Sequence, residues 1–240
     1  MNEATIKEAA LHFGKGKPTI LPVNDGLIHH TYKIEFPEDR PIILQNINRG
    51  TFAYPQNIIH NYLLLSEHLG NNGKTKIPPL IAADNGDFFW VDTENNFWRA
   101  TAYVNNSSIL PFPKTPQDAF VAARCFSNFT RELSQLDASK LKVIIPGFHD
   151  LSLRYNQFEA AVGSAEIKRL LKATHVIAEL RQRTQLVRFY NDLVDNPAYK
   201  MRIMHHDCKM SNILLDADTK QVIGPIWRSE ERRVGKECRS

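Results

Sequence analysis

Cysteine is scarce in this sequence: only Cys125, Cys208 and Cys238 occur among 240 residues. Their odd number and wide spacing argue against a disulfide framework and against a Cys-x-x-Cys metal site. Few, scattered thiols are typical of a reducing compartment, so we expect a cytoplasmic protein. The N-terminal segment 1–17 is polar and charged and has no apolar stretch of the kind found in signal peptides.

Long apolar runs and a large excess of one charge are also missing. No stretch approaches the roughly 20 apolar residues of a membrane span, so we expect no membrane partner. The net charge is +4, and residues 228–240 contribute +2 of it through five Lys or Arg and three Glu. The remainder is nearly neutral, which argues against a nucleic-acid partner, because such proteins need a basic face. What the sequence does have is 42% hydrophobic residues, enough for a buried core.

The first hundred residues have mainly strand character. A short amphipathic helix is predicted over 3–13, and a longer one over 55–69 that starts at a proline. The strand-like runs, broken by turn signals such as Asp25-Gly26, cover 19–24, 30–36, 41–47, 79–83, 87–92 and 97–104. This order predicts an antiparallel sheet of about five strands with a helix inserted after the third.

The second half is richer in helix. Helices are predicted over 116–136, 151–163 and 165–194, and the apolar residues within the basic stretch 168–188 are predicted to face a core. Polar, Pro-rich residues 105–116 are typical of a connection. A β-rich part followed by a helical part favours an α+β protein with two lobes, 1–104 and 105–226.

A group of polar residues with regular spacing runs from His205 to Asn212 and has the form H-x-D-x-K-x-x-N, followed by apolar residues. This spacing suits phosphoryl transfer: Asp207 would orient and deprotonate an attacking hydroxyl, and Asn212 would ligate Mg²⁺. Lys209 would neutralise charge on the transferred group, and His205 would hold the loop through backbone hydrogen bonds. The alternative is that Asp207 and Asn212 only cap a loop of another α/β protein.

Several segments, in order along 19–226, resemble the aminoglycoside phosphotransferase and protein-kinase-like superfamily. Within it the resemblance is closest to bacterial N-acetylhexosamine 1-kinases. Residues 205–215 are similar to the catalytic loop, and 24–32 (NDGLIHHTY) to the nucleotide-binding loop. Residues 98–104 (WRATAYV) are similar to the hinge strand that meets adenine, and 147–150 (GFHD), with Arg154, to a segment near the sugar site.

The resemblance implies a two-lobed kinase-like fold, ATP and Mg²⁺ as cofactors, and a small-molecule substrate, a sugar or amino sugar. It gives catalytic roles to His205, Asp207 and Lys209, a metal-binding role to Asn212, and substrate contacts to His149, Asp150 and Arg154. It places nucleotide contacts at Asn24, Asp25, Gly26, His30, Thr31, Gln45, Ala102 and Val104. The Asp25-Gly26 pair can also be read as no more than a hairpin turn, and His149 and Asp150 as no more than helix caps.

The sequence departs from the superfamily pattern at three places. The superfamily carries a lysine on its third strand, and here Gln45 or Asn46 stands near that position. It carries a glutamate on the following helix, and here His60 stands near that position. Trp227 stands where a metal-binding aspartate is expected after Ile226, and tryptophan cannot ligate Mg²⁺. Residues 228–240 resemble the conceptual translation of a sequencing adapter, so we predict a non-native tail over 227–240 and a chain truncated at its C-terminus, an inactive fragment of the parent enzyme.

The resulting prediction is a kinase that transfers the ATP γ-phosphoryl group to the anomeric hydroxyl of an N-acetylhexosamine. One alternative is a non-catalytic nucleotide-binding pseudokinase. A second is a kinase that acts on an aminoglycoside or a choline-like alcohol, and a third is an unrelated sugar-binding or scaffold module.

Overall fold

The backbone is α+β, as the sequence predicts, in a computed structural model that describes residues 2–23, 28–226 and 234–236. The helices are α1 (Glu3–Leu11), α2 (Pro55–Asn72), α3 (Pro116–Glu132), α4 (Leu151–Ser164), α5 (Ile167–Gln182) and α6 (Gln185–Asp195). The strands are β1 (Thr19–Val23), β2 (His30–Glu35), β3 (Ile42–Ile47), β4 (Leu80–Ile81), β5 (Trp90–Val91), β6 (Phe97–Ala102), β7 (Ser107–Ser108), β8 (Met201–Ile203), β9 (Ile213–Asp216), β10 (Val222–Pro225) and β11 (Val234–Lys236). Short 3₁₀ helices occupy Leu133–Gln135, Ala138–Lys140 and Met210–Asn212.

The main sheet is antiparallel and has the order β1-β2-β3-β6-β4, with β5 also paired to β6. It has six strands where about five are predicted. Each of the six strand-like runs of the sequence contains one of them, and β4 and β5 are only two residues long. Alternate residues of β3 point to opposite faces, so Ile42 and Leu44 share one face. They pack there with Trp98 and with Ala9 and Ala10 of α1 in one buried cluster.

Helix α2 starts at Pro55, as predicted, and extends three residues further than predicted, to Asn72. Its apolar side is buried, whereas its polar side binds the backbone of residues 140–143. Asn57 Nδ2 donates to Val143 O at 2.8 Å, and Asn61 Nδ2 donates to Lys142 O at 2.9 Å. These contacts fix the helix beside the main sheet.

A second sheet, β10-β9-β7, lies within the mostly helical second part, where the sequence predicts a strand over 220–226 and a hairpin strand at 213–215. Its strand β7 falls in the segment predicted as a connection, and Ser107 and Ser108 pair there with Asp216 and Leu215 of β9. Only residues 103–106 separate β6 from β7. The two sheets are therefore joined by a very short connection.

Backbone contacts divide the chain into two compact units. One holds the residues up to 144 together with those from 203 to 226, and contains both sheets described above. The other holds residues 145–202 with β11, which pairs with β8. The lobe boundary at residue 104 stays a prediction. The tail predicted to be non-native, 227–240, lies outside the described residues except for β11.

The single helix predicted over 165–194 is wrong, because α5 ends at Gln182 and α6 begins at Gln185. Arg183 leaves the helical region (φ −99°, ψ 16°). The Arg181 carbonyl accepts a hydrogen bond from the Thr184 hydroxyl, a local side-chain contact of the kind that competes with helical hydrogen bonds. The prediction that 168–188 faces a core is also wrong: Leu171 is 71% exposed, and α4, α5 and α6 bury no residue. In the described part of the chain, no helix is long and apolar enough to cross a bilayer.

Candidate active site

The segment from His205 to Asn212 forms a tight loop that runs into β9. His206 has a positive φ of 62°, a left-handed conformation that turns the chain sharply. Met210–Asn212 then form one 3₁₀ turn, and the first three residues of β9, Ile213–Leu215, are buried. The loop is therefore anchored at its end by the apolar run that the sequence shows after Asn212.

His205 is a buried support of this loop, with only 1% of its surface exposed. Its ring packs against Phe126 and Phe129 of α3, at centroid distances of 4.7 and 5.8 Å. Burial lowers the pKa of His205 to about 4, so the imidazole is neutral at neutral pH. Nε2 lies 3.0 Å from the Ile226 carbonyl, and since a carbonyl only accepts, Nε2 carries the proton.

Asp207, Lys209 and Asn212 converge on one carboxylate. Asn212 Nδ2 donates to Asp207 Oδ2 at 2.7 Å and to the Asp207 carbonyl at 2.9 Å. Lys209 Nζ lies 2.8 Å from the same Oδ2, and the Asp207 side chain is 33% exposed. The carboxylate is thus fixed by two donors and still open to a hydroxyl from solvent.

The metal-binding role predicted for Asn212 has only partial support in these residues. Asn212 is fully buried, and its Nδ2 donates to Asp207 Oδ2. Mg²⁺ usually takes one or two carboxylates in addition to phosphate oxygens. Oδ2 of Asp207 is already held by Lys209, and Trp227 lies outside the described residues. No group of three or more His, Cys, Asp or Glu that could hold a metal occurs in 2–23, 28–226 or 234–236. The described residues therefore do not complete a Mg²⁺ site.

The residues predicted to contact the nucleotide are distributed along the main sheet. Asn24, Asp25 and Gly26 lie outside the described residues. His30 is exposed and opens β2. Thr31 and Gln45 are paired across β2 and β3, and Gln45 Nε2 donates to Thr31 Oγ1 at 3.2 Å.

Ala102 and Val104 are at the end of β6, where the resemblance places the adenine-binding strand. The Ala102 amide donates to the Pro79 carbonyl at 2.9 Å. The Val104 carbonyl accepts a hydrogen bond from the Ser107 hydroxyl at 2.6 Å. Both of these groups already have partners within the chain, and an adenine contact there stays a prediction.

The predicted substrate residues lie in the other compact unit and make local contacts. Asp150 is the N-cap of α4, and its Oδ1 accepts from the Leu153 amide at 2.9 Å. Arg154 donates to the Phe148 carbonyl and to Gln157 Oε1, and the His149 ring meets Phe148 edge-on. Helix capping accounts for Asp150 as it stands, so a substrate role for these residues stays a prediction.

A comparison against known families covers both the main sheet and the Asp207 loop. A family profile described as the phosphotransferase enzyme family matches residues 19–226. The chain belongs to this family. The matched range starts at β1 and ends at Ile226, so both the sheet and the Asp207 loop lie inside it.

Solved structures of small-molecule kinases share the fold of this family member. A microcompartment-associated aminopropanol kinase is 16% identical, with a TM-score of 0.70, over 94% of this chain and 69% of that one. A spectinomycin phosphotransferase in complex with ADP and spectinomycin is 11% identical, with a TM-score of 0.62, over 98% and 70%. An amicoumacin kinase in complex with AMP-PNP, Ca²⁺ and its substrate is 10% identical, with a TM-score of 0.63, over 99% and 66%. The chain spans about two thirds of the length of these proteins.

The sequence interpretation missed two supports of this site. Arg99 on β6 is 1% exposed and donates two hydrogen bonds to Gln45. The resemblance places Arg99 in the hinge strand but gives it no role there. A charged residue within the apolar run FWRATA was the available signal. The sequence indicates that Phe126 and Phe129 are buried residues of a helix. It does not indicate that the two rings pack against the ring of His205. His60, near the expected glutamate, instead donates Nε2–H to the Lys140 carbonyl at 3.1 Å.

Proposed function

We propose that this family member transfers the γ-phosphoryl group of ATP to a hydroxyl of a small molecule, with Asp207 as the base. The observation that carries the proposal is the Asp207 carboxylate held by Lys209 and Asn212, at 2.8 and 2.7 Å, in a loop that begins at the buried His205.

The chemistry assigned to these residues is a proton transfer with charge stabilisation. The acceptor hydroxyl donates to the Asp207 carboxylate, which orients its oxygen for attack. Asp207 takes the hydroxyl proton as the new O–P bond forms, while the bond between the γ-phosphorus and the β,γ-bridging oxygen breaks and ADP leaves. Lys209 is 50% exposed, so its ammonium can move from Asp207 to an oxygen of the transferred phosphoryl group. A divalent cation would neutralise the phosphates when bound, and Asn212 is the described residue that would contact it.

The preferred acceptor is the anomeric hydroxyl of an N-acetylhexosamine, which rests on the resemblance of the catalytic loop and of residues 147–150. Solved structures with the same fold act on other acceptors, since their names include aminopropanol and spectinomycin. An aminoglycoside or a small amino alcohol is therefore the second candidate class.

The test is ADP release by the full-length parent enzyme, because the sequence predicts that this chain alone is an inactive fragment of it. The enzyme is given Mg-ATP and a panel of N-acetylhexosamines, aminoglycosides, amino alcohols and choline. One acceptor class should raise ADP release, and Asp207→Asn should lower that rate by about 10²- to 10⁴-fold, the range of general-base catalysis. An aspartate directly after Ile226 in the full-length sequence would supply the carboxylate that the superfamily resemblance expects. Asp218→Asn, at an exposed position after β9, controls for the same exchange of charge.

A non-catalytic nucleotide-binding protein is the rival reading. It is favoured by Gln45 and His60, which stand near the positions where the superfamily has a lysine and a glutamate. Nucleotide binding without acceptor-dependent ADP release by the full-length enzyme would favour this rival and refute the kinase proposal.

A further inference from the structure

Arg99 is a buried cation whose orientation is set by a glutamine. It lies in the middle of β6, directly opposite Gln45 of β3. Its Nε and Nη2 donate to Gln45 Oε1 at 3.0 and 2.8 Å. Its guanidinium also lies 5.4 Å from the ring centroid of Tyr62 on α2. Both of these contacts orient the guanidinium.

The Gln45 amide has only one possible orientation in this contact. A guanidinium has donors and no acceptor, so the atom that faces Arg99 must be the amide oxygen. The Gln45 NH₂ group therefore points the other way, towards the start of β2, where it donates to Thr31 Oγ1 at 3.2 Å. That group carries a second hydrogen, for which the described residues provide no acceptor.

The sheet distinguishes Gln45 from its neighbour Asn46. Directly opposed residues of antiparallel strands share a face, so Thr31, Gln45 and Arg99 form one row across β2, β3 and β6. Asn46 points to the opposite face, where it is paired with the buried Trp98 of the cluster that contacts α1. Gln45 therefore lies on the same face of the sheet as Thr31, which belongs to the segment 24–32 predicted to bind the nucleotide.

We propose that Gln45 donates its amide N–H to a phosphate oxygen of the bound nucleotide and that Arg99 is its positioning residue. Arg99 fixes the Gln45 oxygen and so turns the NH₂ group towards the phosphates. The pair supplies, across two strands, the hydrogen-bond donor that the resemblance expects from one strand-three lysine. This inference rests on the nucleotide use in the proposed function.

The experiment compares the affinity of ATP with that of adenosine, which has no phosphates, by calorimetry of the chain. Gln45→Glu keeps an acceptor for both Arg99 donors, so the fold should be retained and the Tm should not fall. It also replaces the outward donor by an acidic oxygen, so ATP should bind about 10- to 100-fold more weakly, the range for losing a hydrogen bond to a charged group. Adenosine affinity should stay unchanged.

Two further variants separate positioning from general packing. Arg99→Lys keeps the charge, but lysine cannot reproduce the two-donor fork of arginine. ATP should therefore bind more weakly to this variant, whereas the affinity of adenosine should not change. The double variant Gln45→Lys with Arg99→Gln moves the cation to the expected strand-three position and should recover ATP affinity. Gln135→Glu, at an exposed position after α3, is the matched control and should leave both affinities unchanged.

An unchanged ATP affinity in Gln45→Glu, or an equal loss of ATP and adenosine affinity, would overturn the inference. A failure of the kinase proposal is seen separately, as absence of acceptor-dependent ADP release, and does not affect the comparison of ATP with adenosine.

Discussion

Acidification should weaken the fold through His205, the buried histidine at the start of the Asp207 loop. An unfolded chain takes up a proton on this histidine near its ordinary pKa of 6.5, whereas burial lowers the pKa in the folded chain to about 4. Between these two values the unfolded state binds more protons than the folded state. The free energy of unfolding contributed by His205 is therefore complete above pH 6.5 and falls as the pH drops towards 4.

The size of the effect follows from the two pKa values. Each pKa unit corresponds to about 1.4 kcal/mol, so a difference of roughly 2.5 between the states gives about 3 kcal/mol. His205→Gln removes the titration and keeps a donor for the Ile226 carbonyl. It also loses the ring contacts with Phe126 and Phe129, so at pH 7 the variant should be less stable by about 1–3 kcal/mol.

The assay is urea unfolding followed by circular dichroism at several values between pH 4 and pH 8. The parent chain should lose about 3 kcal/mol more than His205→Gln across this interval. His175→Gln makes the same exchange at an exposed position and shows how much of the change comes from the exchange itself. Parallel stability curves for the parent and His205→Gln would refute the assignment of a neutral, buried His205.

Three other outcomes are expected. Gly224→Ala should lower the free energy of unfolding by about 2–4 kcal/mol in urea, because an added Cβ would stand 2.0 Å from the Lys76 carbonyl oxygen. Asp92→Ala should lower the Tm and reduce the free energy of unfolding by about 1–3 kcal/mol. Burial opposes the charged form of Asp92, but the hydrogen bonds that the carboxylate accepts, including one from Trp98, outweigh burial and hold the pKa of Asp92 below its ordinary value. Cys125 should react slowly with iodoacetamide at pH 8, as followed by mass spectrometry, because burial raises its pKa to about 11.

Each of these outcomes has an internal comparison. Gly70→Ala is the control for Gly224→Ala, because an added Cβ at Gly70 meets nothing within 4 Å; equal costs at the two sites would contradict the close approach at β10. The exposed Cys208 is the reference for Cys125, and faster labelling of Cys125 would contradict its burial. An unchanged Tm in Asp92→Ala would show that the hydrogen bonds of Asp92 make no net contribution to the stability of the fold.

The elements that the sequence predicts well are those with strong local signals. Alternating apolar residues in β1, β2 and β3 predict an antiparallel meander, and the structure confirms it within a residue or two. Helix α3 starts where Thr115 and Asp118 form a reciprocal cap, as the change in character from residue 116 predicts. Local capping and alternation are properties of adjacent residues, so they can be read without tertiary information.

The elements that the sequence does not predict depend on distant partners. Strand β7 is two serines in a polar connection, and it becomes a strand only because β9 lies beside it. The Asp207, Lys209 and Asn212 cluster could be found from spacing within one loop, whereas the Arg99–Gln45 contact joins residues 54 positions apart. Position in a sheet decides that contact, and a single sequence gives no register for it.

The attachment of α2 to residues 140–143 has a consequence for how the chain assembles. The two ends of the Asn61 hydrogen bonds are 81 residues apart in sequence, and those of the Asn57 bond are 86 apart. During synthesis the helix is made long before its acceptor carbonyls, and water must solvate the amides of Asn57 and Asn61 until then. Pulse labelling by hydrogen exchange during refolding should therefore show α2 protected only together with the 140–143 segment, and early independent protection of α2 would contradict this order.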